Sequence, residues 1–316
     1  SPSQINAVTH GAGPAMVLAG PGSGKTTVIT HRAAYLIDQL QIRPEQILVI
    51  TFTREAAGEM QLRYIADAGK GGVRFCTFHS LFYHILAERY GADAIAPKSE
   101  KETDGFYDSL APRTKQLFLQ EPETLKAWRD RFSHILVDEF QDIDELQYKL
   151  MEVLCAYHKN LFIVGDPDQT IYTWRGADVR FLLDFDKAFP GTKTIMMLQN
   201  YRSTPEILNA VNSLISKNKN RVAKDLVPTL PSGEKPLFHF AKNAEDEALW
   251  MAAEMEKLHA SGVPYRDITV LYRAHYVTRA VETALLEKKL PYRIYSGVPF
   301  FGRAEIKDAL CYLRMA

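Results

Sequence analysis

Cysteine is scarce in this chain. The 316 residues hold three, Cys76, Cys155 and Cys311, and none stands in a Cys-x-x-Cys pair. That argues against a zinc ribbon or a disulfide framework and fits a reducing compartment. An excess of charge of one sign is missing too, since Lys+Arg and Asp+Glu both number 38. No global basic field marks a nucleic-acid partner, so any such surface has to be local. No apolar run approaches the roughly 18 residues of a membrane span, and no signal peptide is visible. The expectation is a soluble, cytoplasmic chain with no membrane association. The first residue is Ser1 rather than Met, which reads as a processed or engineered start. Internal repeats and low-complexity tracts are absent from the sequence.

What is present is ordinary in bulk and specific in detail. Hydrophobic residues make up 46% and charged residues 24%, the balance of a globular chain. The length is enough for about two domains. Near the start, an apolar run at 15–18 leads into Ala19-Gly20-Pro21-Gly22-Ser23-Gly24-Lys25-Thr26, followed by a helix-like run at 27–40. Strand, Gly-rich loop, Gly-Lys-Thr and helix together are the context of a phosphate-binding P-loop. The glycines let consecutive N–H groups turn inward on phosphate oxygens, and the helix points its positive end at the same anion. In that arrangement Lys25 reaches the β- and γ-phosphates of ATP, and the Thr26 hydroxyl ligates Mg²⁺. The strict pattern begins with Gly, and Ala19 stands there instead. Ala is small enough to keep the assignment.

Short apolar runs recur at 16–19, 47–51, 73–77, 135–138, 161–165 and 194–198, with helix-like stretches such as 55–68, 81–90 and 144–156 between them. Continuous apolar strands separated by helices predict a parallel, doubly wound α/β sheet. A second series follows, with strands expected at 237–240, 268–272 and 292–295 and helices at 245–260, 277–287 and 305–313. The stretch 91–120 is polar and carries Pro97, Gly105 and Pro112. It breaks the alternation and reads as a small insertion or loop-rich subdomain.

Two further strands end in chemistry. The run at 135–137 delivers Asp138-Glu139, and ligands sit at the carboxyl ends of strands in open α/β sheets. Asp138 then holds Mg²⁺, and Glu139 accepts a proton from an attacking water. A P-loop kinase needs no base aimed at water, so the pair favours hydrolysis. The run at 161–164 ends in Gly165-Asp166-Pro167-Asp168-Gln169, whose Gln169 can orient water or sense the γ-phosphate. Just beyond lie Tyr172, Trp174 and Arg175, aromatic and cationic together, a cluster able to stack the bases of a single strand. For an isolated Trp the competing reading is a core residue.

With these residues in order, the chain resembles the superfamily 1A DNA helicases of the UvrD/Rep/PcrA type. Gln4 matches the glutamine that reads adenine. Thr51-Phe52-Thr53-Arg54-Glu55-Ala56-Ala57-Gly58-Glu59-Met60 resembles a DNA-contacting motif, with Arg54-Glu55 in place of the usual Asn-Lys. Thr77-Phe78-His79-Ser80 resembles the next, and 138–142 and 165–178 match the two that follow. Leu198-Gln199-Asn200-Tyr201-Arg202-Ser203 matches the motif whose Tyr stacks on adenine and whose Arg reaches the γ-phosphate. The stretch 297–308 resembles the segment before the family's second insertion.

The resemblance implies a RecA-like P-loop NTPase domain 1A over 1–198, with domain 1B reduced to a stub at about 91–120, and a partial RecA-like domain 2A over 199–316. It implies an ATP- and Mg²⁺-dependent 3′→5′ translocase acting on single-stranded DNA and duplex–single-strand junctions, in repair or replication. The implied ATP contacts are Gln4, the loop from Ala19 through Thr26, Thr27, Arg32, Tyr201 and Arg202. The chemistry falls to Lys25, Asp138, Glu139, Gln169 and Arg202, with Thr26 and Asp138 on the metal. The implied DNA contacts are Phe52, Thr53, Phe78, His79, Tyr172, Trp174 and Arg175.

The family's last two motifs are not visible, so the chain reads as a fragment of a longer helicase, or a cut-down form, with Cys311 and Leu313 deprived of packing partners. Three other readings stay open. One is an ATP-binding switch or accessory protein that does not unwind DNA, another is a P-loop kinase, and the third is the motor of a larger helicase–nuclease.

Overall fold

The computed structural model describes residues 1–69, 71–97, 102, 105–218, 222, 224–295 and 304–315. The chain divides into two compact units, residues 1–236 and 237–316.

The first unit is built on a six-stranded sheet. Its strands are β1 Ala15–Ala19, β2 Ile47–Thr51, β3 Arg74–Thr77, β4 His134–Val137, β5 Leu161–Gly165 and β6 Lys193–Met197. Their order is β3-β2-β4-β5-β1-β6, and every pairing is parallel. β1, β2, β4 and β5 are buried along their whole length, the pattern of strands covered on both faces. Alternate residues divide between two cores. Met16, Leu18, Leu48, Ile50, Ile135, Val137, Leu161 and Ile163 face one side. Ala15, Val17, Ala19, Ile47, Val49, Leu136, Phe162 and Val164 face the other. That period-2 split is what a doubly wound sheet requires.

Helices α1 Pro2–Val8, α2 Lys25–Asp38 and α3 Arg54–Ala68 supply the second core through Ala7, Val28, Ile29, Ala33, Leu36, Met60 and Tyr64. α4 Phe78–Tyr90, α5 Phe106–Gln120, α6 Pro122–Arg131 and α7 Glu145–Cys155 supply the first. Side-chain caps fix several starts. Thr53 accepts from the Ala56 N–H at 3.1 Å, Thr77 from Ser80 at 3.2 Å, and Asp144 from Leu146 and Gln147. Cys76 and Cys155 are buried in the core.

The described part of 91–120 is more helical than its composition predicts. A single turn at Ala92–Ile95 precedes α5, which buries Leu110, Thr114, Leu117 and Phe118. Pro112 sits inside α5. It removes one intrahelical N–H bond, yet the apolar face on either side outweighs that loss. After β6 the chain forms a two-residue parallel ladder, β7 Gln199–Asn200 with β8 Val227–Pro228, flanking α8 Pro205–Ile215.

In the second unit, α9 Ala244–Ala260 and α10 Thr278–Glu287 pack through Ala248, Ala252, Ala284, Leu285 and Leu290. α11 Ala304–Met315 follows, with Cys311 and Leu313 exposed. The strands expected at 237–240, 268–272 and 292–295 are not formed; these stretches have no ladder among the described residues. A strand is stabilised by a hydrogen-bonded neighbour and cross-strand side-chain pairs, and an apolar run alone supplies neither. Leu271 and Phe240 remain exposed, Phe240 by 92%. Residues 297–303, within the stretch compared with the segment before the second insertion, lie outside the described residues. No described helix is long and apolar enough to cross a membrane.

The helix around Pro112 gives a direct test. Pro112 is exposed, so Pro112→Ala restores a backbone bond without opening a cavity. The substitution is expected to stabilise the protein by about 1–3 kcal/mol, read as a higher urea midpoint at constant m-value. An unchanged or lower midpoint would show that the ring packs or that the local bend is required.

Candidate active site and adjoining groove

The sheet order puts β5 between β1 and β4. Three functional segments therefore leave neighbouring strand ends: the P-loop from β1, Asp138-Glu139 from β4, and Asp166–Gln169 from β5. The loop turns through positive φ at Gly22 (68°) and Gly24 (85°), the latter capping α2. Only glycine adopts these angles without strain. The loop is also pressed from outside. A Cβ on Gly22 would lie 2.7 Å from the Asn200 amide nitrogen and from the Arg202 Cβ, and one on Gly24 would lie 2.7 Å from the Gln4 amide nitrogen. Ser23 is buried, and its hydroxyl donates to the Gly20 carbonyl at 2.7 Å.

Two distant segments hold the loop's outer carbonyls through three hydrogen bonds. Gln4 Nε2 donates to Ser23 O at 2.9 Å, Asn200 Nδ2 to Pro21 O at 2.7 Å, and the Tyr201 N–H to Gly22 O at 2.9 Å. Asn200 Oδ1 in turn accepts from the Arg202 and Ser203 N–H groups. Gln4, Tyr201 and Arg202 thus gather at the P-loop, with Tyr201 and Arg202 exposed beside it. Asn200 and the Leu226 side chain, which crowds Gly20, carry no sequence signal for that task.

Inside the loop, Lys25 Nζ donates to Glu139 Oε2 at 3.0 Å, and Gln141 Nε2 donates to the same oxygen at 2.8 Å. Glu139 has φ 50° and ψ 43°, left-handed for a residue with a side chain. That costs about 1–2 kcal/mol, and such strain gathers at functional sites. Gln141 Oε1 accepts from the Asp166 N–H at 3.0 Å, tying the β4 loop to the β5 loop. Asp138 is buried with one oxygen on the Glu139 N–H. Burial, and then the Glu139 charge, push its carboxyl well above the usual range, against the pull of Lys25. Asp142 is raised for the same two reasons, to about 6, and its Oδ1 is buried without a hydrogen-bond partner. Buried carboxylates of this kind are the natural complement of a divalent cation.

The β5 loop holds an arrangement no sequence pattern announces. Lys224 reaches Asp166 Oδ1 and Asp168 Oδ2, the second at 2.9 Å, with its side chain 3% exposed. The other Asp166 oxygen accepts from Gln169 Nε2 at 2.7 Å. Gln169 is therefore oriented by a carboxylate that a buried lysine anchors. A lone Lys in a polar stretch offers no signal for this, because the contact spans 58 residues.

Two expected contacts do not hold. Arg32 is buried, 1% exposed, on α2. Its guanidinium donates to the carbonyls of Val8, His10 and Gly11 and lies 4.6 Å from the Phe162 ring centroid. Burial lowers its pKa to about 10. Arg32 anchors the chain after α1 and is removed from the ATP set. Phe78 is 3% exposed and packs on Phe82 at 6.1 Å. It lines the groove from beneath and leaves little surface for a base to stack on, because position N1 of α4 points it into the core.

The remaining DNA candidates converge on an open groove of about 820 Å³. Phe52 and Tyr172 stack at 4.9 Å with planes 23° apart. Trp174 is 67% exposed, so it is no core residue. The Arg175 guanidinium lies 4.6 Å from the Trp174 ring and 5.5 Å from Tyr172. Thr53 and His79 complete the wall. Burial lowers the His79 pKa, with Asp108 and Asp144 pulling it upward.

Comparison with known proteins matches this chain to two family models. The model of the UvrD/REP helicase N-terminal domain matches residues 1–104 and 94–190, and that of the UvrD-like helicase C-terminal domain matches residues 195–316. The ATP-dependent DNA helicase PcrA of Staphylococcus epidermidis is 35% identical over 385 aligned positions, covering 99% of this chain and 53% of that protein. PcrA of Staphylococcus aureus is 34% identical with the same coverage. The chain thus spans about half the length of these curated relatives. Among solved structures, the Pif1 helicase of Candida albicans aligns with TM-score 0.37 and 14% identity over 62% of this chain and 39% of that one, too little to bear on the argument.

The Lys224 anchor yields a prediction. Lys224→Met leaves two buried carboxylates facing each other. It is expected to destabilise the first unit by about 3–5 kcal/mol, the cost of breaking a buried ion pair on one side. Urea denaturation measures this, and a loss below about 1 kcal/mol would place the triad among weak surface pairs.

Proposed function

The chain belongs to the UvrD/REP helicase family, and from that premise we propose that it is the ATP-driven motor of a DNA translocase. In this reading it hydrolyses ATP, moves on single-stranded DNA with 3′→5′ polarity and opens duplex–single-strand junctions. The observation that carries the reading is the convergence of Lys25, Glu139 and Gln141 beneath the P-loop. A cradle for phosphates and a carboxylate held at the same point are the parts needed to attack a γ-phosphate with water.

Each residue has a task. The backbone from Ala19 through Thr26, with Thr27, holds the phosphates, and Lys25 neutralises the β- and γ-oxygens. Thr26 and Asp138 would hold Mg²⁺, which adds positive charge on the same oxygens. Glu139 takes the proton of the attacking water. Gln169 orients that water, and Arg202 meets the charge that develops on the γ-phosphate. Gln4 and Tyr201 flank the adenine. In the groove, Phe52, Tyr172 and Trp174 stack bases, while Thr53, His79 and Arg175 contact the strand.

We assign residues 1–198 to domain 1A and 199–316 to a partial domain 2A, with 1B reduced at about 91–120. Three findings support this. The N-terminal family match is split at 94–104, the C-terminal match begins at 195, and the alignment to PcrA runs longer than this chain. A cytoplasmic location suits a DNA substrate and the buried free thiols Cys76 and Cys155.

ATP turnover with and without single-stranded DNA is the first test. Stimulation by DNA is expected; tight ATP binding without turnover would favour a nucleotide-dependent switch, and transfer to an acceptor other than water a kinase. Two variants separate the roles. Glu139→Gln is expected to keep ATP binding and slow turnover by about 10²–10⁴-fold, and normal turnover would remove Glu139 as the base. Trp174→Ala is expected to weaken single-strand binding by about 1–3 kcal/mol while the melting temperature stays put. Unchanged DNA affinity would take Trp174 out of the strand's path.

A further inference from the structure

Two lysines are paired with carboxylates at the strand ends, Lys25 with Glu139 and Lys224 with Asp166 and Asp168. Lys25 belongs to the P-loop and its side chain is 11% exposed. The Lys224 side chain is 3% exposed and has almost no surface to offer a ligand. Whatever Lys224 does in the reaction, it does through its partners.

The partner that matters is Asp166, itself 1% exposed. Its Oδ1 accepts from the Lys224 ammonium and from the Asp168 N–H at 3.0 Å. Its Oδ2 accepts from Gln169 Nε2 at 2.7 Å. A carboxylate only accepts, whereas an amide has one donor end and one acceptor end of nearly equal size. Asp166 therefore selects the NH₂ end of Gln169 and leaves the carbonyl Oε1 turned away from it. Take the ammonium out, and two neighbouring buried carboxylates favour a proton held between them. A protonated acid also donates, so it would accept the Gln169 amide either way round. The difference is chemical. Water attacks phosphorus through a lone pair, so its protons have to be accepted elsewhere. Glu139 accepts one, and Gln169 Oε1 can accept the other; a reversed amide would instead donate to the water and compete for that lone pair.

Lys224 also comes from a stretch that is fixed to the rest of the site. The Leu226 side chain fills the space where a Cβ on Gly20 would stand, and Asn212 holds both the N–H and the carbonyl of Leu226. The Val227 N–H donates to Leu198 O at 2.8 Å and the Thr229 N–H to Asn200 O at 3.1 Å. Asn200 accepts from the Arg202 N–H. The ammonium is thus placed by contacts to the P-loop and to the segment that carries Arg202.

We propose that Lys224 is a positioning residue for hydrolysis: it holds Asp166 as a pure acceptor, and so locks the Gln169 amide with its carbonyl oxygen available to the attacking water. This role rests on the reading of the site as an ATP hydrolase and adds to it the residue that sets the sense of Gln169. The competing account is that Lys224 serves stability alone.

The test is steady-state ATP hydrolysis by the full chain with Mg²⁺ and single-stranded DNA, measured beside ATP affinity. The variants are Lys224→Met, Asp166→Asn, Gln169→Ala and the double variant Lys224→Met with Gln169→Ala. Asp166→Asn keeps the volume but presents an amide, which accepts Gln169 in either sense. Lys224→Met and Asp166→Asn are each expected to lower kcat about 10- to 100-fold while ATP affinity stays within about 2-fold. In the Gln169→Ala background, Lys224→Met is expected to cost less than about 2-fold more, because the group it positions is gone. A loss equally large in both backgrounds is what a general weakening of the fold gives, and it would overturn the role. Normal turnover by Asp166→Asn would overturn it too, and that variant decides the matter if Lys224→Met fails to fold. If Glu139→Gln stops turnover while Lys224→Met and Asp166→Asn turn over normally, the positioning role falls and the hydrolase reading stands. If the unmodified chain turns over no ATP, the hydrolase reading falls and the role with it.

Discussion

The Lys25–Glu139 ion pair sets the terms for the rest of the first unit. Its partners come from β1 and β4, strands that are not neighbours. Bringing them to 3.0 Å requires a sheet whose intervening strand ends in a loop compact enough to leave room above it. β5 meets that demand with Gly165. A Cβ there would lie 2.9 Å from Gln141 Oε1, so the close approach of the β4 loop depends on the missing side chain. Gln141 then fills the gap, donating to Glu139 and accepting from the Asp166 N–H. The left-handed backbone at Glu139 belongs to the same geometry. It turns the chain back under the P-loop, where an extended residue would carry the carboxylate onward with the strand.

Much of this was legible in the residues. Apolar runs of about five between helices gave the sheet, because buried parallel strands leave little else in their composition. The P-loop and Asp138-Glu139 were legible because their chemistry is local, with the spacing, the residue types and the preceding strand in one short window. What was hidden is long-range or depends on a neighbour. Lys224 cannot be told from a solvated lysine without knowing that Asp166 and Asp168 lie against it. Arg32 sits about one and a half helical turns beyond the P-loop threonines, where a cation suggests a phosphate contact, yet that face of α2 turns to the carbonyls at 8–11. Phe78 and His79 are adjacent, and only the direction of α4 decides that the first is core and the second is wall. The unformed strands of the second unit show the converse. The apolar run at 237–240 has the composition of a strand, and only a paired neighbour makes it one.

The net charge of zero conceals a segregated arrangement. The strand ends carry Asp138, Glu139, Asp142, Asp166 and Asp168 against two lysines, and both lysines are already paired with carboxylates. This is a centre short of positive charge, which suits the proposed site for a metal-bound nucleotide. The groove is arranged differently. Its arginines lie over aromatic rings, where a guanidinium keeps its charge and stays weakly hydrated. A strand can be held there without the broad basic field that the composition lacks.

The two sites share one short segment. Gln169 donates to Asp166 at the strand ends, and only three residues later Tyr172 stacks on Phe52 in the groove. Between them the backbone makes tight turns, closed by Gln169 N–H to Asp166 O and Arg175 N–H to Tyr172 O. The far side is fastened by the Asp144–Ala177 bridge, which ties the segment to the start of α7. The Ile171 backbone also contacts Asp142, one of the raised carboxylates beneath the P-loop. One end of the segment thus lies at the acidic strand ends and the other at the aromatic wall. Coupling of this kind needs an element with two arrangements. The segment 166–177 is the physical candidate, because it is anchored at both ends and touches both sites. Lys224 holds one end of that segment through Asp166 and Asp168.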